Sequence, residues 1–168
     1  MNGPEAIRLV ALGLACGVAS VVPGVLSGNG GAPCSLILHM DKTEFRPGEP
    51  IPVACEMKNT GDEPVKIWSC GFWPNHRVVV TDDQGREPDL TPYGVACRER
   101  NTLHSATRDR NRPLVLGLGK SYKNHPIDLA KLYDLGPGKY LVTVMYDEHE
   151  MEPQMAVVSE PKAFTVED

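Results

Sequence analysis

The sequence contains no Cys-x-x-Cys, no His-Glu-x-x-His, no Gly-x-Ser-x-Gly and no phosphate-binding glycine loop. The first absence removes zinc ribbons and thioredoxin-like redox sites. The second removes the metallopeptidase arrangement in which one helical face supplies two zinc ligands and a base. The others remove the nucleophile elbow and the nucleotide fingerprints. Basic clusters are scarce too. Seventeen Lys and Arg stand against 22 Asp and Glu, for a net charge of −5, whereas nucleic-acid binding requires basic residues gathered on one face. The one dense basic patch, "CRERN" followed by "TRDRNRP", sets each Arg beside an acid or an Asn and reads as a solvated loop. Internal repeats, low-complexity tracts and long amphipathic helical patterns are also missing.

Charge is absent from one long run as well. Between Leu9 and Leu26 there is no ionisable side chain except Cys16, with Arg8 before the run and the small residues Ser27 to Ala32 after it. That is the order of a secretory signal. The run is nearly as long as the roughly 20 residues that span a bilayer, while its glycines and Pro23 weaken it as a permanent helix. Residues 1–28 are therefore expected to be a signal peptide or an N-terminal membrane anchor. Residues 29–34 would be a flexible linker and 35–168 a single domain. Leu14-Ala15-Cys16-Gly17 looks like part of a lipobox, but Gly13 stands where that pattern has Leu. The expected location is periplasmic or extracellular, with membrane contact only through the N-terminal segment.

Four cysteines lie beyond that segment, and an even number in an oxidising compartment suggests two disulfides. The expected pairs are Cys70 with Cys97 and Cys34 with Cys55; the alternative leaves Cys55 as a free core thiol.

What is present is extended structure. "SLILHM" is a short apolar run. After the Pro47-Gly48 turn, Ile51, Val53, Cys55 and Met57 fall on one face at period 2, the mark of a half-buried strand. "NTGDEP" is a turn, and "VKIW" resumes extended chain. "HRVVVTDDQGREP" reads as strand, turn and short strand. "TPYGVACRERNTLHSATRDRNRP" shows little periodicity. "LVLGLGKSYKNHPIDL" is extended with a turn at Gly119, and "AKLY" fits one helical turn. "KYLVTVMY" places Tyr140, Val142, Val144 and Tyr146 on one face, and "KAFTVED" closes the chain. Short strands, regular turns and no long helix predict an all-β fold, an immunoglobulin-like β-sandwich of about seven antiparallel strands. Gly136-Pro137-Gly138 directly before Tyr140 predicts a tyrosine corner, in which the phenol ties the turn to the strand it starts. Tyr140 is thus architectural, not catalytic.

"FRPGEPIPVACEMKNTGDEPVKI" resembles the opening of bacterial exported Ig-like modules. "IDLAKLYDLGPGKYLVTVMY" and "SEPKAFTV" resemble the later strands of the non-catalytic β domain that accompanies deuterolysin-type metallopeptidases. The first stretch is also similar to the intracellular proteinase inhibitor family. The resemblance covers about half of the expected mature chain. It implies an accessory or interaction module, and it carries over no peptidase activity because the zinc motif is missing.

Two stretches invite a chemical reading. "MYDEHEMEPQM" gathers His149, Met151 and Met155, and imidazole with thioethers suits Cu(I); His-x-Met in a loop of an exported sandwich resembles periplasmic copper chaperones. The plainer reading is a solvated acidic loop with methionines packed at its base and no cofactor. "SCGFWPNHR" holds Phe72 and Trp73 close to Trp68. An exposed Trp73 beside Pro74 would make a ligand contact; otherwise these rings belong to the core. The function expected is a non-enzymatic structural or interaction role with another envelope or secreted protein. The alternatives are a peptidase inhibitor or peptidase-associated module, and a copper-binding protein.

Overall fold

A computed structural model describes residues 32–68, 75–103, 113–148 and 155–168. The described chain is mostly β. In order it forms β1 (Cys34–His39), β2 (Glu44–Phe45), β3 (Pro52–Asn59), β4 (Val65–Trp68), β5 (His76–Asp82) and helix α1 (Pro92–Leu103). There follow β6 (Pro113–Leu116), β7 (Ser121–Lys123), β8 (Ile127–Asp128), the single helical turn α2 (Leu129–Leu132), β9 (Gly138–Glu148), β10 (Met155–Val158) and β11 (Lys162–Val166). β1 begins at Cys34, the last residue of the stretch expected to be linker.

One sheet is built on β3, which pairs with β1 on one side and with β7 and β8 on the other, all antiparallel. The second is built on β9. β5 lies along one side of it, and β10 and β11 lie in succession along the other. β2 adds to β11 in parallel. β4 and β6 form a separate two-stranded ribbon. Alternation along each strand sends one row of side chains inward. Leu36, Val53, Cys55 and Met57 from one sheet and Val80, Val142, Val144, Tyr146 and Phe164 from the other belong to a single buried apolar cluster. The face predicted for β3 and the face predicted for β9 are both buried.

Asn59 joins the ribbon to the first sheet. Its side chain is fully buried, and its amide donates to the Glu63 carbonyl at 2.8 Å and the Leu116 carbonyl at 3.0 Å. Its oxygen accepts from the Gly61 N–H at 2.9 Å. One polar side chain thereby ties the turn after β3 to the end of β6, while the Gly61 N–H is shared with the Pro33 carbonyl at 3.0 Å.

The stretch expected to be an irregular, solvated loop contains α1. Its start is signalled locally. Thr91 caps the helix, its hydroxyl oxygen accepting from the Gly94 N–H at 3.0 Å, and Pro92 occupies the first helical position, where its missing N–H costs nothing. The cap also docks the helix: Thr91 donates from its backbone to the Leu132 carbonyl at 3.0 Å. Gly94 allows the close approach, because a Cβ there would stand 2.0 Å from the Leu132 oxygen. The weak apolar periodicity concealed a helix held by its cap and by this backbone contact.

Candidate functional site

The corner at Gly136–Tyr140 is built as follows. The Tyr140 hydroxyl donates to the Gly136 carbonyl at 2.8 Å, four residues back. Its ring folds over Gly138 and stacks on Phe164, with centroids 5.3 Å apart, and Phe164 meets Phe45 edge-on at 6.2 Å. Burial, followed by the negative charges of Asp82, Asp134 and Asp83, raises the Tyr140 hydroxyl above its ordinary value. A phenol held protonated and bonded to a carbonyl is a structural donor.

The thiols of Cys34, Cys55 and Cys97 are free and buried. The expected Cys34–Cys55 bridge is not formed, and the register gives the reason. Cys34 lies opposite Asn59, whereas Cys55 lies opposite Leu38. The two are offset by four residues along adjacent strands, about 13 Å at the usual rise, and a disulfide requires Cα atoms within about 7 Å. Burial pushes the Cys55 thiol up to about 12 and raises that of Cys34. Cys97 sits in α1; Cys70, its expected partner, lies outside the described residues.

Trp73, His149 and Met151 also lie outside the described residues. Met155 is described: it opens β10 opposite Glu148 and is buried. Among the described residues no group of three His, Cys, Asp or Glu side chains could hold a metal ion.

The described chain nevertheless brings the two singled-out stretches to one place. Asn75, which follows 69–74, is bonded to Asp147, which stands just before 149–154. The Asp147 N–H donates to the Asn75 carbonyl at 2.9 Å, and the Asn75 amide reaches the Asp147 carbonyl at 3.4 Å. Beneath this junction His76 is buried, edge-on to Tyr146 with centroids 5.0 Å apart. The Asn124 amide faces His76 Nε2 at 3.3 Å. Imidazole, two amides and a phenol thus support one end of the second sheet. Their chemistry is that of an oriented hydrogen-bonding platform.

Sequence reasoning missed a second polar cluster. The Tyr133 hydroxyl, at the end of α2, donates to the Val78 carbonyl at 3.0 Å and lies 2.9 Å from a Glu87 oxygen. Arg98 of α1 is paired with Glu87 and reaches the same hydroxyl at 3.4 Å. Burial, reinforced by the Glu87 charge, pushes Tyr133 up to about 12, while Arg98 acts in the opposite sense. Shallow clefts flank Tyr133. One of about 160 Å³ lies between the Pro47–Gly48 turn and α2, and one of about 40 Å³ lies between β5 and α1. Both are well below the roughly 300–1,000 Å³ of ordinary small-molecule pockets. The cluster therefore reads as an internal clamp. "YDLG" offered no sequence signal for it beyond a tyrosine at a helix end.

No family model matches the chain, and no curated protein matches it. Among solved structures, the chain is similar to a Pseudomonas fluorescens alkylpurine DNA glycosylase bound to DNA containing an abasic site analogue. The identity is 12% and the TM-score 0.41, over 82% of this chain and 31% of that one. The chain thus spans about a third of that protein's length, and a likeness of this degree carries no argument.

Proposed function

We propose that this chain is an exported, non-enzymatic Ig-like β-sandwich module that binds another envelope or secreted protein. The observation that carries the reading is the bond from the Tyr140 hydroxyl to the Gly136 carbonyl. It forms a tyrosine corner in a β-rich chain whose two sheets share one apolar cluster. The uncharged run from Leu9 to Leu26 supports export. The junction at Asn75 and Asp147 supports a contact surface at the end of the second sheet, where Trp73 would be its aromatic anchor.

The test is expression of the tagged chain in a bacterial host, with fractionation and sequencing of its N-terminus, followed by crosslinking in the envelope and mass spectrometry. The expected result is an exported chain, cleaved near Ser27–Ala32 or retained by its N-terminal segment, and one dominant crosslinked protein. A full-length chain confined to the cytoplasm would overturn the reading. Capture of a peptidase, with inhibition of its activity, would replace it with the peptidase-inhibitor alternative.

A further inference from the structure

The two sheets treat their edges differently. At β5 the free edge is occupied. Val144 lies opposite Val78 and uses its own peptide groups toward Ser159, so those of Val78 face outward. The Tyr133 hydroxyl meets the outward Val78 carbonyl. Further along, the Asp82 N–H donates to the Arg86 carbonyl and the Asp82 carbonyl accepts from Gly85, which closes that edge with a turn.

At β1 the outer edge has no strand paired to it among the described residues. The Asn59 N–H and the Cys55 carbonyl of β3 bond toward β7, to Lys120 and Asn124. The alternation of an antiparallel ladder then turns Ala54, Glu56 and Lys58 toward β1, where they meet His39, Ile37 and Ser35. The peptide groups of Leu36 and Leu38 therefore point outward. Among the described residues nothing bonds them on that side. The Met40 carbonyl just beyond is reached by the Lys162 amine at 3.4 Å.

Natural sheets protect such an edge with charge, proline, a bulge or a covering segment. Here residues 34–40, Cys-Ser-Leu-Ile-Leu-His-Met, contain no Asp, Glu, Lys, Arg or Pro, and Ile37 is 39% exposed on the outer face.

We propose that β1 pairs antiparallel with β1 of a second copy of this chain, about a two-fold axis at Ile37. The strand is complementary to itself in that register. Leu36 faces Leu38 of the second copy, so the outward peptide groups of each meet those of the other. Ser35 faces His39, and Ile37 meets its own copy. No like charges are opposed, and the first sheet runs continuously through both molecules. An edge pair of this length contributes less than the roughly 800 Å² per partner of a standard interface, which places it among weak, transient contacts. The inference stands on the edge geometry and not on export or an external partner.

The test is sedimentation of the full-length chain in mild detergent from about 5 to 500 µM, together with Ile37→Lys and Ile37→Cys variants. The wild type is expected to be in monomer–dimer exchange. Ile37→Lys, with unchanged circular dichroism, should weaken the dimer at least tenfold. Ile37→Cys should form a 37–37 disulfide with oxidised glutathione as oxidant, because Cα atoms of a non-hydrogen-bonded pair lie about 4.5 Å apart, within disulfide range. A wild type that stays monomeric throughout would overturn the proposal. So would a dimer that survives Ile37→Lys without a 37–37 crosslink, since that places the contact elsewhere, the apolar N-terminal run included. A monomer whose Leu36 and Leu38 amides are protected from hydrogen exchange would also overturn it, by showing the edge covered from within the chain.

Discussion

The Tyr133 hydroxyl stands 3.0 Å from the Val78 carbonyl, on the side of β5 where the peptide of a further strand would lie. A side chain from the end of a helical turn thus does the work of a neighbouring strand at one position. Tyr133→Phe keeps the ring and removes the donor, leaving the Val78 carbonyl unpaired at the edge. A loss of about 1–3 kcal/mol is expected, read as a lower urea midpoint with an unchanged slope. A midpoint equal to wild type would mean that water replaces the bond.

Gly94 decides how closely α1 approaches α2. Gly94→Ala sets a Cβ against the Leu132 oxygen, which is backbone and cannot rotate away. Overpacking of this kind typically costs about 1–3 kcal/mol, even though alanine is the better helix former. Denaturation should show destabilisation; a stabilised variant would place the helix farther from α2.

Tyr140→Phe separates the two contributions of the corner. The stacking on Phe164 is retained, and only the bond to the Gly136 carbonyl is lost. The expected cost is about 1 kcal/mol, whereas Tyr140→Ala, which also removes the stacking, should cost about 3–5 kcal/mol by analogy with other aromatic truncations. Equal losses in the two variants would show that the ring contributes nothing.

Alkaline pH weakens the fold through two buried groups. Cys55 and Tyr133 are held near 12, above their ordinary values of 9.0 and 10.0. The unfolded chain releases these protons first. Each group's stabilisation is therefore complete below its ordinary value and is lost as pH rises toward 12. The loss approaches about 1.4 kcal/mol per pH unit for each group once its unfolded form is ionised. Urea unfolding at pH 8, 9, 10 and 11 should show this decline. Cys55→Ala should be less stable at pH 8 but show a shallower fall between pH 9 and 10, where the unfolded thiol is already largely ionised and tyrosine only begins to titrate. An unchanged slope would remove Cys55 as the cause.

The strands were legible in the sequence where period 2 and turn residues agreed. Val142, Val144 and Tyr146 alternate without interruption and are all buried. Gly48, Gly85 and Gly119 take positive φ at turns marked by Pro-Gly, Asp-Gln-Gly and Gly-x-Gly. Helix α1 was not legible from periodicity, because its apolar residues are few and its docking depends on a cap and a missing Cβ; Thr91-Pro92 was the available signal. The expected Cys34–Cys55 pair is not formed for a different reason: parity of count constrains nothing about register, and a four-residue offset separates the two. The Tyr133 clamp joins residues from four separate parts of the chain, Val78, Glu87, Arg98 and Tyr133, and no local pattern announces such a meeting. Asn59 lay in a recognised turn, but its three bonds depend on where β6 returns.

The pair of hydrogen bonds between Asn75 and Asp147 has a consequence for engineering. Two stretches separated by more than seventy positions in sequence share one mooring. A library that varies 69–74 alone holds half of that shared frame constant. Lengthening either stretch at its Asn75 or Asp147 end disturbs the anchorage of both. Insertions should therefore be placed away from these two residues, and the two stretches should be diversified together.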